Sequence, residues 1–350
     1  MQKIIKTLYL ILVLVIIKSC VEPIEIKNLE SEDFLVVEAT LSDELKKQTV
    51  KLSRTFALDA IDAIKESNAT VTIKNNSNTY SFTETSEGVY TSNIQFKAEA
   101  NTNYTLEIKT QNGSTYVSSP EKLTGSSTIT EITAKKEANN VNEEGIRIYL
   151  KGKGLNSDSK YFRYEYIETY QIIPPFWSGT KLEIVSDTVP FIVREIPNLD
   201  NNRICYNSLN STEIILKETA TLLDGIVDSD IKFIPKDDFI ISHRYSILVK
   251  QYVQSFQAYN YYKTLNKLST NGDSFTQTQP GFLLGNITST QNENNKAIGY
   301  FDVSSVATKR LFLNREDFFA DDEVDFINDC EFIAPELIVI PMLGIDCAHS

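Results

Sequence analysis

Histidine, tryptophan and glycine are scarce in this sequence of 350 residues, which has two histidines, one tryptophan and thirteen glycines. Histidine is the commonest general base and metal ligand near neutral pH, so two copies leave little room for chemistry that depends on it. The sequence has no Gly-x-Ser-x-Gly turn for a hydrolase nucleophile and no Cys-x-x-Cys pair for zinc. Few glycines also leave few positions for a phosphate-binding loop. These absences predict a protein that is not an enzyme and that uses no metal and no cofactor.

Positive charge is also in short supply, because 34 lysines and arginines face 47 aspartates and glutamates, for a net charge of -13. An acidic surface repels a phosphate backbone, so we expect no nucleic-acid partner. The chain is 41% hydrophobic and 23% charged, which is enough apolar side chain for a folded core. Its length exceeds what one core usually serves, so two domains are predicted.

A short apolar run marks the amino terminus. Residues 8–17 are apolar and follow Lys3 and Lys6, but the run is shorter than the roughly 20-residue helix that spans a bilayer. This pattern is typical of a secretory signal peptide, here residues 1–19. The segment Ile17-Lys18-Ser19-Cys20 resembles a bacterial lipobox, whose cysteine receives a diacylglycerol. We therefore expect lipidation at Cys20 and a lipid-anchored tether over residues 20–33; the alternative is a secreted protein in which Cys20 is incidental.

Three cysteines follow Cys20: Cys205, Cys330 and Cys347. An oxidising compartment permits one disulfide among them and leaves one thiol over. Cys330 and Cys347 are close in sequence, so we predict that they pair and hold the end of the chain in place. A bridge that includes Cys205, or no bridge, stays open.

Alternating apolar and β-branched residues predict a mostly β fold. Seven short strands fit between residues 34 and 120, separated by turn signals such as Gln111-Asn112-Gly113. This pattern predicts an N-terminal immunoglobulin-like β-sandwich over residues 34–120. Residues 119–127 are interpreted as a linker.

The part that follows, residues 128–350, is predicted to be a larger β-rich second domain with at least one helix. The three- and four-residue spacing of Ala258, Tyr261, Tyr262 and Leu265 predicts that helix near residues 254–269.

Aromatic side chains are abundant, with 17 tyrosines and 18 phenylalanines. The candidate interface aromatics are Tyr164, Tyr166, Tyr170, Phe176 and Trp177. The three tyrosines share one face of a predicted strand, and the other two follow a pair of prolines that exclude a central strand. Rigid amphipathic rings of this kind bind sugars, peptides or neighbouring proteins. The alternative is a core strand followed by a turn that the prolines fix.

The chain resembles the DUF4249 family of Bacteroidota outer-membrane lipoproteins through short motifs in a set order. They are Cys20-Val21-Glu22-Pro23, Phe34-Leu35-Val36-Val37-Glu38-Ala39-Thr40, Val50-Lys51-Leu52-Ser53-Arg54-Thr55, Ile204-Cys205-Tyr206, Arg244-Tyr245-Ser246-Ile247-Leu248-Val249-Lys250-Gln251, Gly285-Asn286-Ile287 and Gly299-Tyr300-Phe301. The chain departs from the family pattern at Tyr206, where tryptophan is expected. No catalytic residues come with this resemblance.

The resemblance implies a non-catalytic binding or structural subunit beside an outer-membrane β-barrel, a TonB-dependent receptor or another envelope assembly. Glu22 and Glu25 resemble the surface-export signal of Bacteroidota lipoproteins, so a cell-surface location is expected, with a periplasm-facing one still open. A stand-alone cell-surface protein that binds glycan or peptide is the alternative function.

The lipid assignment predicts that Cys20→Ala moves the protein from the membrane fraction to the soluble fraction. An acidic body is repelled by anionic membrane surfaces, so attachment must come from the acyl chains. Fractionation and immunoblotting of wild type and variant provide the measurement. Unchanged membrane retention of the variant would contradict the assignment.

Overall fold

A computed structural model describes residues 34–55, 64–173, 177–186, 188–189, 192–199, 203–222, 225–270, 283–291 and 296–320. Of these residues, 59% are in strands and 8% are helical. The prediction of a mostly β protein is therefore confirmed.

The strands and the helix follow one another in this order. The first seven strands are β1 (Leu35–Ser42), β2 (Thr49–Arg54), β3 (Thr70–Lys74), β4 (Thr79–Ser86), β5 (Val89–Ser92), β6 (Thr105–Lys109) and β7 (Thr115–Ser118). The next are β8 (Ser127–Ala138), β9 (Glu144–Gly154), β10 (Tyr161–Ile172), β11 (Thr180–Ser186), β12 (Ile192–Pro197), β13 (Cys205–Asn210), β14 (Ile215–Glu218), β15 (Ile226–Pro235) and β16 (Arg244–Val253). Helix α1 (Phe256–Thr270), β17 (Leu284–Ser289) and β18 (Lys296–Asn314) complete the set, with short 3₁₀ turns at Phe239–Ile241 and Arg315–Asp317.

Strands β1 to β7 belong to a closed, barrel-like sheet of nine strands, in the order β1-β2-β5-β4-β3-β6-β7-β17-β18. The sheet closes because β1 pairs in parallel with β18, from Leu35 opposite Ala297 to Ser42 opposite Ser304. A free-standing sandwich over residues 34–120 is therefore not what forms. Strands from the far end of the sequence supply the missing neighbours, and local periodicity carries no information about such pairing.

Alternate residues of these strands fill the inside of the closed sheet. Leu52, Ile73, Leu106 and Phe301 are among its buried side chains. Burying one such side chain contributes about 1.5 to 3 kcal/mol, so this alternation is the main reason that the strands hold their register.

A second core lies between two further groups of strands. The carboxyl-terminal part of β18 pairs with β16, β16 pairs with β10, and β10 pairs with β13 and β14. Strands β8, β9 and β15 form a separate three-stranded sheet. Side chains of both groups, including Ile148, Phe162 and Ile247, share one buried cluster.

Helix α1 occupies the region where the apolar spacing predicts a helix. Ser255 precedes it, and the Ser255 hydroxyl accepts a hydrogen bond from the Ala258 amide (3.1 Å), which satisfies one of the unpaired donors of the first turn. Ala258 and Tyr261 pack against Tyr300 of β18. Within the described residues, no helix is both long and apolar enough to span a membrane.

The close approach of β1 to β18 predicts a large effect of Gly299→Ala. Gly299 has φ of +136°, and a Cβ there would lie 2.1 Å from the Val37 carbonyl oxygen. We expect the variant to lose about 3 kcal/mol or more of unfolding free energy, measured by urea denaturation. Gly225→Ala is the control, because Gly225 has φ of +63° but, chain neighbours aside, no described atom within 4 Å of the added Cβ, and it should lose about 1 to 2 kcal/mol. Equal losses would contradict the argument.

Candidate functional site

The tyrosines expected at an interface lie in the core. Tyr164, Tyr166 and Tyr170 of β10 are all buried in the second hydrophobic cluster. The Tyr170 ring meets the Phe239 ring edge to face, with 5.4 Å between centroids. They are therefore not accessible as interface anchors, and their placement corresponds to the core-strand alternative.

Trp177 lies at the start of the segment that leads into β11. It is half-buried, and the Arg203 guanidinium lies 5.7 Å from the centre of its ring. Phe176 lies outside the described residues.

The structure describes only one of the four cysteines, Cys205. Cys205 forms a disulfide, whereas Cys20, Cys330 and Cys347 lie outside the described residues. A bridge from Cys205 within this chain uses one of those three cysteines, so lipidation at Cys20 and pairing of Cys330 with Cys347 cannot both hold. Each stays a prediction. In the described part of the chain, no three acidic, histidine or cysteine side chains are grouped as metal ligands.

Strands β11 and β12 form a two-stranded hairpin with two different faces. Leu182, Ile184 and Val193 share one face, because Ile184 is directly opposite Val193. Glu195 lies opposite Leu182 on the same face. The other face carries Glu183 opposite Arg194, whose charged groups lie 3.5 Å apart, and also Ile196 opposite Lys181. We call the face of Leu182, Ile184 and Val193 the hairpin surface.

The hairpin surface is open to solvent. Its side chains are 50% (Leu182), 44% (Ile184) and 37% (Val193) exposed. A two-stranded hairpin is marginally stable by itself in water, and it normally gains stability when its apolar face is covered. The sequence analysis predicts no functional residue within residues 180–197. The alternation that places Leu182 and Ile184 on one face of a strand is the pattern that indicates this surface.

A second exposed feature is the outer edge of β13. The closed sheet of nine strands and the strands β16, β10, β13 and β14 together form one sheet of thirteen strands, and β13 is the last strand in its order. Tyr206 and Leu209 of β13 are exposed. Edge strands present unpaired backbone groups to which another chain can add.

A cleft of about 630 Å³ lies elsewhere, lined mostly by polar residues. Its walls come from the residues before β6, the segment after β7, strands β17 and β18, and the start of α1. The residues that line it are Asn103, Ser119, Pro120, Glu121, Lys122, Thr124, Ser255, Gln257, Gly285, Asn286 and Tyr300. The segment after β7 belongs to residues 119–127, which the sequence pattern predicts to be a linker.

Glu121 is the central charged group of the cleft. Its Oε1 accepts hydrogen bonds from the Tyr300 hydroxyl (2.9 Å), Asn286 Nδ2 (3.0 Å) and the Ser119 hydroxyl (3.2 Å). Burial raises the pKa of the Glu121 carboxyl above its usual value, although these donors oppose that shift. Burial also raises the pKa of Tyr300, so its hydroxyl keeps its proton and donates it.

The model of a family described as a domain of unknown function, DUF4249, matches residues 21–310. No curated protein matches the chain.

The half-buried position of Trp177 predicts a moderate effect of Trp177→Ala on stability. We expect a loss of about 1 to 2 kcal/mol, because only part of the ring is removed from water. Phe162→Ala, at a fully buried position of β10, should lose about 3 to 5 kcal/mol. Melting temperatures of both variants provide the comparison, and a loss at Trp177 as large as that at Phe162 would show that the indole is a core residue.

Proposed function

This chain belongs to the DUF4249 family, and from that premise we propose that it is a non-catalytic outer-membrane lipoprotein. In this proposal it is anchored by lipid at Cys20, faces the cell surface and acts as a binding or structural subunit beside a β-barrel protein. The partner is a TonB-dependent receptor or another envelope assembly.

The observation that carries the proposal is the hairpin surface. Exposed apolar side chains that form one continuous patch typically mark a protein interface, whereas isolated ones are common on any surface. Leu182 and Ile184 follow each other on one face of β11, and Val193 is opposite Ile184, so the three apolar side chains are contiguous, with Glu195 beside them. The other face carries three charged side chains, Lys181, Glu183 and Arg194. A partner that covers the less charged face would match this difference.

Among the described residues no strand pairs with the outer edge of β13, and this edge offers a second kind of contact. A partner strand that adds to an exposed edge gains backbone hydrogen bonds, and neighbouring side chains supply selectivity. Tyr206 has a large ring with a polar end, which is the type of side chain enriched at interfaces. The alternative function, a stand-alone binder of glycan or peptide, needs neither feature.

Substitution of the hairpin surface provides the test. Leu182→Asp combined with Ile184→Asp places two charges on the apolar face, and we expect recovery of the co-purifying β-barrel protein to fall about tenfold or more, since buried interface anchors contribute about 2 kcal/mol or more. Lys181→Asp is the control, because Lys181 lies on the opposite face of the same strand. The measurement is mild detergent extraction, affinity capture of the full chain and mass spectrometry of what accompanies it.

Two results would contradict the proposal. Wild-type protein that brings down no β-barrel protein would favour the stand-alone alternative. Equal loss in the Lys181→Asp control and in the double variant would mean that the apolar face has no special part in docking. Melting temperatures should stay near wild type in all variants, because the substituted side chains are exposed.

A further inference from the structure

We propose that the cleft around Glu121 binds a neutral, polyhydroxylated ligand, a saccharide in chemical class. The inference is independent of docking through the hairpin surface. It concerns a different part of the chain, where β17, β18 and the first turn of α1 meet the segment after β7. A volume of about 630 Å³ is within the range of small-molecule sites.

Unused hydrogen-bonding groups are the first reason. All three described side-chain bonds to Glu121 go to Oε1, so in the described part of the chain Oε2 keeps its lone pairs for another donor. The hydroxyl of Thr124 is buried at the cleft and has no hydrogen-bond partner among the described residues. A buried hydroxyl without a partner is uncommon in folded proteins, and an ordered water completes such a group as well as a ligand does.

The mixture of donors and acceptors is the second reason. Glu121 and Thr124 accept, while the exposed amides of Asn103 and Gln257 both donate and accept. A sugar hydroxyl also donates and accepts, so adjacent hydroxyls can satisfy a carboxylate and an amide together.

Charge and polarity exclude other ligand classes. Glu121 and Lys122 both line the cleft, so its lining carries one group of each sign and favours neither an anion nor a cation. A divalent cation prefers several acidic oxygens, and no group of three potential metal ligands occurs in the described residues. An apolar molecule would leave the carboxylate and the amides of the lining without partners.

The floor of the cleft is held rigidly, which favours a site that exists before the ligand arrives. Asn286 binds the backbone of Phe301 from both ends of its amide, donating to the carbonyl oxygen (3.0 Å) and accepting from the amide (2.8 Å). A Cβ at Gly285 would lie 1.6 Å from the Gly299 carbonyl oxygen. Two of the motifs noted in the sequence, Gly285-Asn286-Ile287 and Gly299-Tyr300-Phe301, therefore meet at this floor.

Saturation-transfer NMR on the full chain tests the inference, with glucose, galactose, mannose, N-acetylglucosamine and maltotriose as probes. At about 10 mM of each probe a dissociation constant of about 1 mM is detectable, which corresponds to about 4 kcal/mol of binding. We expect at least one of these neutral saccharides to bind wild type, and Glu121→Gln to weaken its binding about tenfold or more, as loss of a hydrogen bond to a charged group does.

Two further variants distinguish a specific effect at the cleft from a general effect of removing a polar or charged side chain. Gln257→Ala removes an exposed amide at the rim of the cleft and should also weaken binding without affecting the fold. Glu131→Gln removes an exposed carboxylate on β8 and should bind as wild type does. Co-purification of a β-barrel protein should be the same for Glu121→Gln as for wild type. Co-purification therefore tests docking, and the NMR measurement tests saccharide binding in the cleft.

Three results would overturn the inference. The first is that none of the five saccharides binds wild type. The second is that Glu121→Gln and Gln257→Ala bind as tightly as Glu131→Gln. The third is that inorganic phosphate or a short acidic peptide, used as charged probes, binds at the cleft in place of every neutral saccharide.

Discussion

Strand β18 pairs with both halves of the protein, and most other features depend on this arrangement. Its residues from Ala297 to Ser304 pair in parallel with β1, and those from Ser305 to Asn314 pair antiparallel with β16. This strand of nineteen residues closes the nine-stranded sheet, and its carboxyl-terminal part also joins the strands around the second core. Because a rigid ladder continues through both, the two cores cannot separate without breaking hydrogen bonds on at least one side of β18. Tyr300, and with it the cleft, takes its position from the part that closes the first sheet.

Buried charge lies close to the point where β18 changes partners. Asp302 is fully buried and accepts hydrogen bonds from Gln254 (3.0 Å) and Ser304 (2.7 Å), and burial raises the pKa of its carboxyl. The Arg163 guanidinium lies between the rings of Tyr252 and Tyr262, at 4.5 and 4.8 Å. Buried ionic groups add little net stability, but a slip of β18 by one residue would turn Asp302 to the other face and away from Gln254. The polar junction therefore favours the same register that the alternation of apolar residues selects.

The features that the sequence predicts correctly are those that local patterns encode. Strand alternation, the spacing in α1 and the turn at Gly113, which has φ of +88°, all depend on neighbours within a few residues. The closure of β1 on β18 joins residues more than 250 positions apart, and no local pattern specifies it, so the predicted sandwich over residues 34–120 was the wrong way to complete those strands. The tyrosines of β10 show a different limit: alternation indicates that Tyr164, Tyr166 and Tyr170 share a face, but it does not indicate whether that face meets solvent or a second sheet.

The two candidate sites differ in how firmly the fold holds them, and this bears on what each can do. The cleft is built on strands that the ladder of β18 and the Asn286 amide fix in place, so a ligand there meets groups that are already oriented. The hairpin of β11 and β12 is a sheet of two strands with its own ladder, and its apolar side chains are exposed. Such a ribbon gains most of its stability from whatever covers it. A large partner surface suits the hairpin because covering it stabilises the partner complex and the ribbon together, whereas a small ligand would bury too little apolar area to do so.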